Sequence, residues 1–460
     1  MTQASRTEEE RSAAQVRPVL QRLLEAIQPR EFAVRLWTGE TLDPELGCPA
    51  RFTLVLNHPG ALGRMLWPPS DLTVGEAFVR GDFDIEGDLI AAFSLSENFT
   101  YRSFGWREGL RLLHALRKTA RATPSTPLGR EAVRLHGAHH SKLRDQAAVR
   151  YHYDVGNDFY ALWLDRRMVY SCAYFPTGSE TLETAQEAKL EHICRKLRLQ
   201  PGDRLLDIGC GWGGLLTYAA ERYGVQAVGV TLSPSQVEWA RARIAELGLA
   251  DRCRVELTDY RDLDEKPFDK LVSVGMFEHV GAAQLPAYFQ KAWELLRPGG
   301  VFLNHGITQG PGRHQEPGWW ARTLLKQGQF VQRYVFPDGE LEPIQQSLGA
   351  AAGVGFELRD LESLREHYAL TLRHWVRRLE AQHERAARTA SEAVYRIWRL
   401  FMAGSAYHFE GGALNVYQAL FLKPDRGRSG LPPTRADWYV PQQETAELPT
   451  RDMWPTVEAR

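Results

Sequence analysis

No stretch of this chain runs for the roughly 18 uninterrupted apolar residues that a membrane-crossing helix needs, so a spanning segment is not expected. Met1 to Ser12 are polar and carry no apolar h-region, which argues against export through a signal peptide. The five cysteines (Cys48, Cys172, Cys194, Cys210, Cys253) form no C-x-x-C pair and are odd in number. Neither a disulfide framework nor a zinc site is indicated, no metal is expected, and a reducing, cytoplasmic setting fits best. Net charge is nearly absent too. A formal value of −1 argues against wholesale nucleic-acid binding, although local asymmetry can hide inside a neutral total. What remains is ordinary globular material, 43% hydrophobic and 25% charged, and 460 residues suffice for two or three domains with a sizeable core.

In the N-terminal part, Val19, Leu20, Leu23, Leu24 and Ile27 recur at helical spacing, and Glu31 to Trp37 and Arg51 to Leu56 alternate as strands do. Gly75 to Asp88 reads as helix, turn and short edge. Residues 1–100 are therefore expected to form a small α+β accessory domain, structural or lipid-contacting, with nothing at catalytic spacing. Between Arg102 and Arg150 the balance shifts to eleven Lys and Arg against three Asp and Glu, and Phe104, Trp106, Leu110, Leu112, Leu113 and Leu116 interleave with Arg107, Arg111, Arg117, Lys118 and Arg121. A basic amphipathic helix of this kind suits anionic lipid headgroups, the cations meeting phosphate while the apolar face enters the acyl boundary; a solvated helix packed on a neighbouring domain fits the pattern equally well. Thr123 to Pro127 then reads as a linker, so that residues 101–150 form helix plus linker.

The centre of the chain is Leu205-Leu206-Asp207-Ile208-Gly209-Cys210-Gly211-Trp212-Gly213-Gly214. An apolar strand, three alternating glycines and the helical pattern 215–223 make a strand, a tight turn and a helix N-terminus, where backbone N–H groups and the helix dipole meet a ligand. The spacing G-x-G-x-G, with Asp207 before it, differs from the dinucleotide pattern G-x-G-x-x-G and resembles the first motif of class I S-adenosylmethionine methyltransferases. Onward from it, strands at 204–208, 226–231, 252–257, 269–274 and 300–306 alternate with helices at 214–223, 233–246 and 283–296. That pattern implies an α/β fold with a parallel, doubly wound, Rossmann-like sheet whose ligand sits beyond the carboxyl ends of its strands. Residues 356–361 and 415–422 supply the last two strands. An aromatic insertion at about 313–352, with Trp319, Trp320, Phe330, Tyr334 and Phe336, is suited to lid an apolar substrate, and residues 424–460 form a tail.

Seven separated motifs agree with one family. Tyr170-Ser171-Cys172-Ala173-Tyr174-Phe175, Leu206 to Gly213, Thr231-Leu232-Ser233, Met276 to Gly281, Asn304-His305-Gly306, Phe336 to Glu340 and His367 to Leu372 resemble, in order, the cyclopropane-fatty-acyl-phospholipid synthases and mycolic acid cyclopropane synthases. The likeness runs from about Tyr151 to Lys423, and the catalytic domain is accordingly set at 151–423. It implies that S-adenosyl-L-methionine lies against Gly209, Gly211 and Gly213, with Tyr170 and Ser171 covering it. Generic methyltransferases offer an acidic residue to the ribose at the end of the second strand; here Thr231 and the loop through Gln236 are implied to replace it, with Tyr260 and Arg261 on the adenine side.

The resemblance also implies a bound bicarbonate ion as the base, held by groups matching Cys172, Glu278, His305 and Tyr368. An alkene is a feeble nucleophile, so the sulfonium methyl must be held in line with it in a dry pocket, and closing a ring then requires loss of a proton from the new methyl. Read alone, Cys172 suits a small buried hydrophobe, His305 a core histidine and Tyr368 a helix core residue. The expected reaction is methylene addition across a cis double bond of an unsaturated phospholipid acyl chain. Its rivals are methyl transfer giving a methylene-branched chain, a small-molecule methyltransferase and a non-catalytic lipid binder. Expected partners are unsaturated phospholipids at the inner face of the membrane, with peripheral attachment there and with a homodimer compatible. Gly404-Ser405-Ala406-Tyr407 departs from mycolic acid members that carry cysteine in this segment.

Overall fold

The computed structural model describes residues 3–95 (side chains from Glu10), 106–120, 126–310 and 328–439. Phe104, Arg121, Trp319, Trp320 and the tail beyond Tyr439 lie outside them.

The first helix, Gln3–Leu24, is longer than the expected segment because its first turns are polar; of its described side chains, only Ala13, Val16, Leu20, Leu23 and Leu24 are buried. Strands β1 (Phe32–Arg35), β2 (Thr41–Leu42), β3 (Phe52–Leu56) and β4 (Phe83–Gly87) form a sheet in the order β2-β1-β3-β4. Alternate residues of β3 are buried, as period-2 patterning requires of a strand with one apolar face. The helix Asp71–Val79 is capped by Ser70, whose Oγ accepts from Thr73 N.

A second sheet carries the cleft. Strands β5 (Arg204–Ile208), β6 (Gln226–Thr231), β7 (Cys253–Leu257), β8 (Phe268–Val274), β9 (Leu296–Gln309), β10 (Glu357–Ser363) and β11 (Leu414–Leu422) lie in the order β10-β11-β9-β8-β5-β6-β7. From β7 through β9 every neighbouring pair is parallel. The chain runs outward from β5 through β6 to β7 and then returns to β5's other side as β8, which makes the carboxyl end of β5 the topological switch point. Departing from an all-parallel sheet, β11 runs antiparallel to both β9 and β10. The cause is local. Only residues 411–413 separate the helix Glu392–Glu410 from β11, and so short a link sets Leu414 beside Gln309 at the far end of β9, from which the strand can only run back. Strand β9 also exceeds its expected length, because a register shift opposite Phe268 and Lys270 absorbs the Pro298-Gly299 interruption.

The expected lid range is not one unit. Ile344–Val354 is a helix that packs on Leu285–Leu295, with Ala351 in the core, and it supplies the crossover before β10; its Ile344, Leu348 and Ala351 recur at helical spacing. Gln329–Tyr334 docks on Asp71–Val79 instead: Phe330 N donates to Asp71 Oδ2 at 3.1 Å, Tyr334 Oη donates to Glu76 Oε1 at 2.7 Å, and Gly75 leaves the room that the Phe330 ring fills. The helix Glu392–Glu410 reaches the first sheet through Arg396, which donates to Phe78 O at 2.8 Å and pairs with Asp84, and through Arg399, which donates to Ile85 O at 3.2 Å. Gly404 gives space to the Phe93 ring. One apolar cluster joins Phe32, Leu54 and Phe78 to Tyr160, Trp163, Trp375 and Trp398.

Candidate active site

The cleft opens at the switch point. Gly209, Gly211, Thr231, Gln236, Tyr260 and Arg261 line it, together with Asp145, Tyr153, Asp259, Gly275, Met276 and His279. The three glycines differ in what they do. Gly211 has a positive φ of 55° and a Cβ there would meet nothing within 4 Å, so it is the open side of the turn. A Cβ on Gly209 would strike Met276 at 2.8 Å. One on Gly213 would press on Ala240 of the helix Pro234–Glu246, so Gly213 serves packing and does not line the cleft.

Thr231 Oγ1 donates to Gln236 Oε1 at 2.7 Å, which fixes the amide and leaves Gln236 Nε2 in the cleft wall beside Tyr153. Arg261 is clamped by Asp259 (2.6 and 2.8 Å) and by Asp145 (3.0 Å), so the guanidinium on this side is held rigidly. Asp145 and Tyr153 come from the helix Lys142–Tyr153, which the expected boundary at residue 150 divides between the basic linker and the catalytic domain. Asp145 went unread because the local excess of basic residues masked a single carboxylate facing inward.

Behind the cleft lies an aromatic wall. Tyr170 packs against Trp163 and Trp375, both at 5.3 Å between ring centroids, and against Tyr160 and His152. Ser171 faces away from it: its Oγ accepts a hydrogen bond from Lys189 Nζ at 2.9 Å, and Gln186 Nε2 donates to its carbonyl at 2.9 Å. Lys189 is fully enclosed, and burial pulls its pKa down to about 8 against the pull of Asp165. Burial lifts the Asp207 carboxyl to about 7, with Lys189 opposing. No sequence signal singled out Lys189, one of three Lys and Arg residues in its helix.

Glu278 sits in a 3₁₀ turn, Phe277–His279, just past β8. Its Oε1 accepts from Ile307 N at 2.7 Å, while Oε2 is buried without a partner among the described residues. Burial raises its pKa to about 7. Burial holds the phenol of Tyr368, on the helix Arg365–Ala381, well above the ordinary range, with Cys172, Glu278 and Tyr153 among the groups near it. Cys172 is completely enclosed; its thiol donates to Ala173 O at 3.2 Å and burial raises its pKa, so it stays protonated. Glu278, Tyr368 and Cys172 thus share one neighbourhood. His305 approaches from another side. Gln418 on β11 holds its Nδ1 at 3.2 Å, its Nε2 is a second buried polar atom without a partner among the described residues, and the charges that act on it are Lys189, Lys196 and Glu362. Burial lowers its pKa to about 3, so the ring is neutral, and with Gln418 donating to Nδ1 the proton sits on Nε2. The Tyr170 hydroxyl is a third such buried atom. Ile307, whose backbone meets Glu278, was not singled out by the sequence because a backbone N–H leaves no residue-type signature.

A glycine turn that opens its unhindered side at the switch point, with a fixed amide where the usual ribose acid would stand, defines the chain as an S-adenosylmethionine-dependent methyltransferase. Comparison with known proteins takes the assignment further. The chain belongs to the mycolic acid cyclopropane synthetase family, whose model matches residues 140–419. It is 41% identical over 428 residues to a probable fatty acid methyltransferase of Pseudomonas putida, covering 93% of this chain and 99% of that one. It is 36% identical over 326 residues to the cyclopropane-fatty-acyl-phospholipid synthase of Escherichia coli strain K12, covering 69% and 81%. Among solved structures it resembles mycolic acid cyclopropane synthase CmaA1 complexed with SAH and CTAB, with 38% identity, a TM-score of 0.56 and coverage of 60% of this chain and 97% of that one.

Proposed function

We propose that the protein adds a methylene group from S-adenosyl-L-methionine across a cis double bond of an unsaturated phospholipid acyl chain, forming a cyclopropane. The observation that carries this reading is Glu278: a carboxyl with one oxygen tied to Ile307 N and the other buried without a partner among the described residues, with Tyr368 near it. S-adenosylmethionine supplies an electrophilic methyl on sulfur. Gly211 admits it to the backbone, Gln236 and the Arg261 clamp orient its ribose and adenine ends, and the wall of Tyr170, Trp163 and Trp375 excludes water from the acceptor carbons.

Bicarbonate, when bound, supplies a base small enough to reach the proton lost on ring closure. The buried atoms suit it: His305 Nε2–H and the Tyr170 and Tyr368 hydroxyls donate, and Glu278 Oε2 receives a proton or orients its bearer. Cys172 stays protonated and supplies an apolar, unreactive wall. One observation favours a second reading, a methylene-branched acyl product: the Pseudomonas putida relative bears the name fatty acid methyltransferase. The sequence carries Glu278, Tyr368, Cys172 and His305, the residues that match the family's ring-closing set, and this supports ring closure.

The helix Trp106–Ala120 supports a membrane-surface substrate at the inner face. Its Leu116 packs on Ala61–Leu66, where Gly63 allows the two backbones to approach closely, while Trp106, Leu110 and Leu113 at i, i+4 and i+7 are 73%, 59% and 36% exposed. Arg107, Arg111, Arg117 and Lys118 are exposed around them. Packing and lipid contact therefore use different flanks of one helix. The test is incubation of the purified chain with S-adenosylmethionine, bicarbonate and vesicles of unsaturated phosphatidylglycerol. Loss of the alkene with addition of one CH₂ supports the proposal, and addition of CH₂ with the alkene retained supports the branched product.

A further inference from the structure

We propose that His139, His140 and Glu340 form a binding site for a divalent transition metal of the zinc class, separate from the methyl-transfer centre. His139 Nδ1 lies 3.5 Å and His140 Nε2 3.7 Å from Glu340 Oε1, and all three atoms lie within 4.8 Å of one another. Ligands placed tetrahedrally at zinc's ordinary bond lengths stand about 3.3 Å apart, so these atoms need to move by only tenths of an ångström, apart from the wider third edge, to share one ion. Two imidazoles and one carboxylate, with a fourth position left for water, suit zinc, cobalt or nickel and not the all-oxygen preference of magnesium or calcium.

The surroundings are those of a ligand set. Each imidazole presents its other nitrogen to a carboxylate: His139 Nε2 to Asp338 Oδ1 at 3.4 Å, and His140 Nδ1 to Asp145 Oδ1 at 3.5 Å. Such outer carboxylates fix the ring orientation and raise the basicity of metal-bound histidine. Arg144 pairs with Asp338 and Arg261 with Asp145, so both outer carboxylates are themselves anchored. Glu340 is aimed by its second oxygen, which accepts from Ala282 N at 3.1 Å and leaves Oε1 toward the histidines. His140 is only 6% exposed, and apart from the 3.5 Å approach of Nδ1 to Asp145 its ring nitrogens have no hydrogen-bond partner among the described residues. A Cβ on Gly281 would lie 2.2 Å from His140 Nε2, so the fold has left room for this ring by placing glycine there. An ordinary core histidine would have at least one nitrogen satisfied.

An ion here would join the segment preceding the helix Lys142–Tyr153 to the loop after Phe336. The same helix supplies Asp145 and Tyr153 to the cleft, and Glu340 N donates to Glu278 O at 3.1 Å, so the ion would brace both sides of the cleft entrance without touching the reacting atoms.

The test uses the full chain without an affinity tag, stripped with chelator and dialysed free of it, then titrated with cobalt(II) chloride and with zinc chloride. The expected result is one equivalent of each metal, intense visible bands of four-coordinate cobalt that zinc abolishes, and a higher Tm in the presence of zinc. His140→Gln and Glu340→Gln should each weaken binding at least tenfold and abolish the zinc-dependent rise in Tm, with circular dichroism unchanged. Should His140→Gln fail to fold, His139→Gln, at a half-exposed position, must show the same loss of binding. Binding that is absent, weaker than about 100 μM as for scattered surface histidines, or unaltered in the variants overturns the proposal.

Discussion

Glu278→Gln preserves shape and the acceptor for Ile307 N but removes the negative charge, and the structure says what this does to stability as well as to rate. The folded carboxyl has its pKa raised by burial from 4.5 to about 7. Below pH 4.5 the group is neutral in folded and unfolded chains alike. As pH rises toward 7 the unfolded chain releases the proton while the folded chain retains it, so the wild-type protein loses stability across this window. The full gap corresponds to about 3 kcal/mol by pH 8, since each tenfold difference in proton affinity between folded and unfolded chains is worth about 1.4 kcal/mol. Gln has no such loss. After allowing for burial of its amide, the variant should exceed wild type by about 1–2 kcal/mol at pH 8 and match or fall below it near pH 5. Turnover should move the opposite way, falling by roughly 10² or more as expected for a lost acid–base or electrostatic group, with S-adenosylmethionine affinity little changed. In the wild type, at fixed bicarbonate concentration, the rate should climb as pH passes through about 7, and this limb should vanish in the variant. Thermal melts at pH 5 and pH 8, calorimetric titration of the cofactor and initial rates on unsaturated vesicles supply the readouts. Near-normal turnover in Glu278→Gln refutes its place in proton removal, and a variant no more stable than wild type at pH 8 refutes the buried, costly carboxylate.

Gly211→Val should abolish S-adenosylmethionine binding by calorimetry: its branch enters the open side of the turn and its backbone is strained at φ 55°, at a stability cost of about 1–3 kcal/mol. Gly213→Ala should instead be felt chiefly in Tm, through Ala240, with cofactor affinity near wild type. Charge reversal of Arg107, Arg111, Arg117 and Lys118 should weaken sedimentation with anionic vesicles, each cation near the surface contributing about 1 kcal/mol, and the effect should fade at high salt. Unchanged sedimentation at low salt would make Trp106–Ala120 a packing element only.

The sheet was legible because the glycine turn and the strand–helix alternation report local backbone needs, and the boundaries of β5, β6 and the helix Gly214–Tyr223 fall where the pattern places them. The reversal of β11 was not, since Asn415 to Leu422 reads as the same apolar run in either direction; the short link after Glu410 decides it. At the site, motifs located Thr231, Gln236, Tyr260 and Arg261 on one wall. They could not show that Gly213 turns to Ala240, that Ser171 is held by Lys189, or that Asp145 reaches the cleft across more than a hundred residues of chain to meet Arg261. Each of these depends on which way a side chain points after long-range packing, information that period and spacing do not carry. The metal reading follows the same logic: without a cysteine pair the sequence offered no ligand pattern, and His139, His140 and Glu340 converge only in the fold.

The most direct test of the proposed reaction is mass spectrometry of phospholipids from a bacterial host that lacks such an activity of its own, grown with this chain and, in parallel, with Glu278→Gln. Wild type should convert unsaturated acyl chains to species one CH₂ heavier that resist olefin cleavage by ozone, and the variant should leave them unconverted. Lipids that gain CH₂ yet are still cleaved by ozone, or that stay unchanged with the wild-type chain present and folded, would contradict cyclopropane formation.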